Sequence, residues 1–141
     1  MDTVRLAAQA QTVHNKRLVE VFCAHFAHGA IAQVLDMMHE DATWWVNGKP
    51  HLFAGAICRT KAQMATVWRA LYAMLDGGLT LTVEGMVAED DRVAAEVRSH
   101  AITRTGKVYD NRYHFLFTIR DGRIMAVKEY TDLMHSQEIF G

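Results

Sequence analysis

Glu96, Arg98 and His100 stand at alternate positions in one short stretch, and a further carboxylate, Glu129, follows near the C-terminus. Two carboxylates, an arginine and a histidine are the side chains of acid–base chemistry. A glutamate takes or gives a proton, a guanidinium steadies negative charge, and a histidine with an ordinary pKa of about 6.5 relays protons. Asn111, Tyr113, Phe115 and Phe117 alternate in the same way, as do Met125, Val127, Glu129 and Thr131. Successive side chains of a strand point to opposite faces, so each set shares one face.

Two readings of Glu129 stand side by side. In an apolar cavity, burial raises a carboxyl's pKa toward neutrality and makes it a general base. Beside Arg98, the same carboxylate stays ionised and structural, since a neighbouring guanidinium lowers its pKa. With Glu96 also present, one glutamate can be neutralised by Arg98 while the other titrates. His100 is either a relay or a core histidine bonded to Asn111 or Tyr113. Trp44 and Trp45 alternate across their strand, so one faces the cavity. The histidines include His25 and His28 one helical turn apart, and His39 beside Glu40 and Asp41. A metal centre needs three or four convergent ligands, and no motif supplies them, so neither metal nor cofactor is expected.

The elements that must position these groups are legible in the hydrophobic periodicity. Leu18, Val21, Phe22 and Phe26 form one helical stripe that Gly29 ends, and Ile31, Val34, Leu35 and Met38 form a second. Thr60 and Gln63 make a capping box before Met64, Val67, Trp68, Leu71, Tyr72 and Leu75, with Gly77–Gly78 as the stop. Thr43–Val46 is expected as a short strand and residues 47–56 as a loop. From Leu79 the period becomes two. Strands are predicted over Leu79–Glu84, Val93–Thr103, Lys107–Arg120 and Arg123–Thr131, with turns at Glu89–Arg92, Thr105–Gly106 and Asp121–Gly122. Short turns force antiparallel pairing, and helices followed by a meander make an α+β domain.

The chain has 141 residues, half of them apolar and 22% charged, which suits one domain over residues 1–141. A net charge of −1 with scattered Lys and Arg gives no footprint for nucleic acid. No apolar run is long enough for a membrane span, and the N-terminus lacks a signal-peptide core. Cys23 and Cys58 have no metal or redox spacing. A cytoplasmic protein is expected.

Three segments, HEDATWWVNG (His39–Gly48), GKVYDNRYHFLF (Gly106–Phe117) and DGRIMAVKEYTD (Asp121–Asp132), together with the order of elements, resemble the SnoaL-like branch of the nuclear-transport-factor-2 superfamily. The resemblance implies a cone: three N-terminal helices on a strongly curved, mostly antiparallel sheet around an apolar pocket. Ketosteroid isomerases, polyketide cyclases and limonene-epoxide hydrolases share that fold, so fold alone assigns no reaction. The isomerase base position falls near Val46, its tyrosine near Phe22 and its acid near His114 or Phe115, none of which carries that machinery. The hydrolase positions fall on Glu96, Arg98 and Glu129, with the first two exchanged in order, and its tyrosine and asparagine fall near Trp44 and Val46.

The resemblance thus implies Glu129, Arg98, Glu96 and His100 as catalytic candidates. Trp44, Asn111, Tyr113, Phe115 and Val127 become ligand contacts in a pocket for a small hydrophobic or polyketide-like molecule. It implies a homodimer through the convex face of the sheet. A cofactor-independent isomerase, cyclase or hydrolase is one functional reading; a non-catalytic binding module, or a structural subunit like those of ring-hydroxylating dioxygenases, is the other.

Overall fold

The computed structural model describes residues 2–141. Two helices, α1 (Thr3–Ala27) and α2 (Ile31–Asp36), precede the first strands, β1 (Met38–Val46) and β2 (Cys58–Thr60), and α3 (Lys61–Ala73) follows them. The meander follows as β3 (Leu75–Glu89), β4 (Arg92–Thr103), β5 (Val108–Tyr109), β6 (Arg112–Arg120) and β7 (Arg123–Thr131), and α4 (Leu133–Phe140) closes the chain. The sheet runs β2-β1-β7-β6-β4-β3, with β5 on β4. Only the β1–β7 pair is parallel.

The helix signals act as their chemistry requires. Gly29, at φ +69°, lets α1 end in a Schellman turn: Gly29 N–H donates to the Phe26 carbonyl and Ala30 N–H to that of His25. Thr60 Oγ1 accepts from Gln63 N at 3.3 Å while Gln63 Oε1 accepts from Thr60 N at 2.8 Å, the reciprocal capping box. The stop after α3 comes earlier than Gly77–Gly78. Met74 caps the helix, and both glycines lie inside β3 at φ +82° and +80°, where its register on β4 slips. They supply a bulge that L side chains would resist.

Two more expectations change. The strand predicted over Lys107–Arg120 breaks at Asp110–Asn111 into β5 and β6. The chain also continues past Asp132 into α4, with Asp132 as N-cap: Oδ1 accepts from Met134 N at 3.1 Å and His135 N at 3.2 Å. The Asp121–Gly122 turn has both residues at positive φ, the geometry a two-residue hairpin favours.

The core lies between the helices and the inner face of the sheet. Val19, Val34, Met38, Val93, Val97, Phe117, Ile124 and Val127 are fully enclosed. Phe22 of α1 sits at the centre of an aromatic cluster, edge-on to Phe117 at 5.7 Å and Trp68 at 6.4 Å, and stacked on Trp44 at 6.2 Å. Among the described residues, no helix is long and apolar enough to cross a membrane.

Candidate active site

A cavity of about 370 Å³ opens between α1, α3, α4 and the inner face of the sheet. Its walls are overwhelmingly apolar: Phe22 and Phe26 from α1, Met64, Val67, Trp68 and Leu71 from α3, and Phe115 and Phe117 from β6. Such a volume and lining suit one small molecule held mainly by burial of its carbon skeleton. Very few polar side chains reach it, chief among them Glu129, Arg59, Tyr109, Tyr113, Thr131 and Ser136.

Glu129 enters from β7, where alternation sets Val127, Glu129 and Thr131 inward. Its Oε1 accepts a 2.9 Å hydrogen bond from the Trp44 indole Nε1–H. The surface it retains faces the cavity. Burial dominates its titration and raises the pKa from 4.5 to about 7, while the Trp44 bond and the nearby Arg59 charge pull the other way. A carboxyl poised there exchanges protons readily in either direction at neutral pH.

Opposite Glu129 on the sheet is Phe115, and one diagonal step away is Tyr113. The Tyr113 hydroxyl is bonded to Tyr109 and lies 3.2 Å from Ser99 Oγ. Burial holds both phenols above their usual pKa, so they stay protonated at neutral pH and can donate hydrogen bonds. Arg59 comes from β2, directly across from Trp44, and its Nη1–H donates to the Gly55 carbonyl at 3.1 Å. Cys23 also touches the cavity, with burial pushing its thiol up to about 12, so it is no nucleophile.

The SnoaL-like domain matches residues 19–127. The chain belongs to the SnoaL-like family. Among curated proteins, the uncharacterised protein Rv0034 of Mycobacterium tuberculosis is 31% identical over 113 residues, 80% of this chain and 85% of that protein. A solved structure of TerC co-crystallised with polyporic acid superposes with a TM-score of 0.76 at 19% identity, covering 89% of this chain and 96% of that one. PrhC from Penicillium brasilianum gives 0.79 at 14%, covering 91% and 86%. An NTF2-like protein from Burkholderia xenovorans gives 0.70 at 19%, covering 92% and 98%. At these identities the structural likeness establishes the fold, an NTF2-like α+β arrangement.

In this SnoaL-like chain the structure brings Glu129, Tyr113 and Phe115 together around the cavity, and of the two alternating tryptophans Trp44 is the one that lines it. It does not bring Glu96, Arg98 or His100 there. All three are exposed on the outer face, while Val93, Ala95, Val97, Ser99 and Ala101 face inward. The expected inward set is therefore displaced by one residue, which flips every side chain of the strand. The register shows the cause: Glu96 pairs with His114 and Arg98 with Arg112, both outward residues of β6. Small and apolar side chains win the interior because burying Glu96 and Arg98 would strip two charges of water. Arg98 consequently does not neutralise Glu129, and the triad suggested by the hydrolase resemblance is not assembled.

Asn111 and Val127 also leave the expected ligand set. Val127 is 1% exposed and packed into the core. Asn111, 2% exposed, is a structural clamp instead. Its Nδ2 donates to the Tyr109 hydroxyl at 3.3 Å, the Ser136 hydroxyl at 3.1 Å and the Asp132 carbonyl at 3.2 Å. Its Oδ1 accepts from Arg112 N at 2.8 Å. It thereby ties α4 to β5 and β6 and seats Leu133, Ser136 and Phe140 against the cavity.

Sequence reasoning missed Arg59, Tyr109 and the α4 wall. For α4 a signal existed: Asp132 as N-cap, then Leu133, Ser136 and Phe140 at helical spacing. Arg59 sits on a three-residue strand with no periodic signature of its own, immediately before the capping-box Thr60. Among the described residues, no three His, Cys, Asp or Glu side chains are placed so that they could hold a metal ion.

Proposed function

We propose that the cavity takes a small, mainly hydrophobic molecule and that Glu129 moves a proton on it without a cofactor, as an isomerase, cyclase or hydrolase requires. The observation that carries this reading is the placement of Glu129: one carboxyl in an apolar cavity, aimed by the Trp44 indole, with a pKa of about 7. Glu129 would act as base in its ionised form and as acid when protonated. Tyr113, neutral and one diagonal step away, is suited to donate a hydrogen bond to an oxygen that gains negative charge. Leu133 and Phe140 of α4 add apolar wall to the cavity that Glu129 faces.

The test is deuterium exchange at the α-carbon of 2-tetralone in D₂O, followed by NMR. Wild type should accelerate exchange over buffer, with a rising limb centred near pH 7. The Glu129→Gln variant should lose about 10²–10⁴-fold of that acceleration. Exchange that survives in the variant removes Glu129 from the chemistry. Binding of 2-tetralone without any acceleration in wild type favours a non-catalytic binding module.

The homodimer is part of the same proposal. On the outer face the Trp45 and Tyr130 rings meet at 5.4 Å, and Leu116 lies nearby on β6 across from Lys128. This partly apolar surface supports association of two copies through the sheet. Light scattering after size exclusion should give twice the monomer mass, and Trp45→Glu should halve it. The free thiols of Cys23 and Cys58 suit a reducing cytoplasm.

A further inference from the structure

Arg59 is an odd residue for the place it occupies. It stands in the wall of an otherwise apolar cavity, across from Trp44 on the inward face of β2. Its Nη1 is anchored on the Gly55 carbonyl. Among the described residues, it has no carboxylate within salt-bridge distance. Glu129 is close enough for the two charges to sense each other but is not its ion-pair partner. A guanidinium has five N–H donors in a planar fork, so most of that fork is left for something else.

We propose that Arg59 is the docking point for an acidic oxygen group, so that the ligand of this cavity is an apolar, ring-sized molecule carrying one carboxylate or ionised enol. The inference rests on the cavity being the ligand site proposed above and adds the chemical class of what enters it. A half-buried cation without a counter-ion is costly, and an anionic ligand removes that cost while its carbon skeleton fills the apolar walls. A carboxylate or enolate matches the fork in charge and geometry, which a neutral ketone or hydrocarbon does not. Anchoring on Arg59 also orients the ligand. Arg59 enters from β2, at one end of the strand order, and Glu129 from β7, two strands away across β1. The acidic end is thereby held at the β2 side while the carbon skeleton extends past Glu129. Arg59 is in this reading a positioning and specificity residue and takes no part in the proton transfer itself.

The experiment compares 2-naphthoate with its neutral isostere 2-naphthamide by titration calorimetry at pH 6, where the naphthoate is ionised. Wild type should bind naphthoate about tenfold to a hundredfold more tightly than naphthamide, the range of a hydrogen bond to a charged group. Arg59→Met, which keeps the stem and loses the charge, should bring the two affinities together and leave naphthamide binding within about threefold of wild type. Arg59→Lys should keep part of the preference, since it retains charge without the fork. Equal binding of both probes by wild type, or a preference that persists in Arg59→Met, overturns the Arg59 inference and leaves the Glu129 reading standing. Failure of wild type to bind either probe removes the cavity as the ligand site and takes both readings with it. Retained naphthamide binding and an unchanged circular dichroism spectrum show that each variant is folded.

Discussion

Replacing Glu129 with glutamine should make the protein more stable at pH 8.5 than wild type, and the reason lies in the cavity. In the unfolded chain Glu129 titrates at about its ordinary 4.5, and in the folded protein burial raises it to about 7. A carboxyl whose folded pKa is raised contributes stability fully below pH 4.5, and that contribution is lost as the pH rises through about 7. Each pH unit between those two values is worth about 1.4 kcal/mol, so ionised Glu129 should cost the fold about 3 kcal/mol above pH 8. Glutamine never ionises, and its Oε1 can accept the bond now given by the Trp44 indole. Any mismatch of the amide appears at every pH as a constant offset. The ionisation appears only as a gap that opens between pH 4.5 and 8.

Urea denaturation of both proteins across pH 4–9, analysed as the difference between them, cancels every other titrating group. The difference should be flat below pH 4.5, grow in favour of the variant to about 3 kcal/mol, and level off above pH 8. In thermal unfolding this corresponds to roughly 10 °C. Parallel stability curves would mean that Glu129 titrates normally and is not desolvated. A gap of the opposite sign, with wild type gaining on the variant as the pH rises, would mean that Arg59 pairs with the carboxylate. Either outcome would refute the placement of a proton-exchanging group in this cavity.

Further consequences follow from the same geometry. Trp44→Phe removes the hydrogen bond that favours ionised Glu129, so the midpoint of any Glu129-dependent pH profile should move upward by up to about one pH unit. Asn111→Ala leaves the Ser136 hydroxyl, the Tyr109 hydroxyl and the Asp132 carbonyl each short of a partner; it should lower stability by about 2–4 kcal/mol and speed proteolysis within α4. Glu96→Gln and Arg98→Gln, on the outer face, should each change stability by about 0.5 kcal/mol or less and leave 2-tetralone exchange at the wild-type rate. A large loss of exchange in either variant would show that β4 presents them to the cavity after all.

Much of the architecture is legible in the sequence. The apolar stripe of Phe22 and Phe26, the Schellman glycine at Gly29, the Thr60–Gln63 capping box and the Asp121–Gly122 turn are local signals, and local hydrogen bonding settles them. The inward face of β6 and of the second half of β7 was equally plain, because Phe115, Phe117 and Val127 leave no other choice. That is enough to set Glu129 and Tyr113 around one space, with one of Trp44 and Trp45 beside them.

β4 was different. Its two faces are Val93-Ala95-Val97-Ser99-Ala101 and Glu96-Arg98-His100; the hydrophobic pattern favours burying the first, and the family resemblance implies the second. Only the pairing of Glu96 with His114 decides it, since strands hydrogen-bonded side by side must agree on which face is inside. Arg59 and α4 belong to the same class of fact. A three-residue strand has no periodicity to announce which wall it will form, and the N-cap and spacing that signal α4 fix a helix without fixing where it packs. Local pattern in the chain fixes the first three helices, the tight turns and the inward faces of β6 and β7, and with them the inward direction of Glu129. Tertiary structure alone decided its neighbours: the Trp44 indole instead of Arg98, and an unpaired Arg59 brought in from a distant edge, because those contacts depend on the packing of segments far apart in the chain.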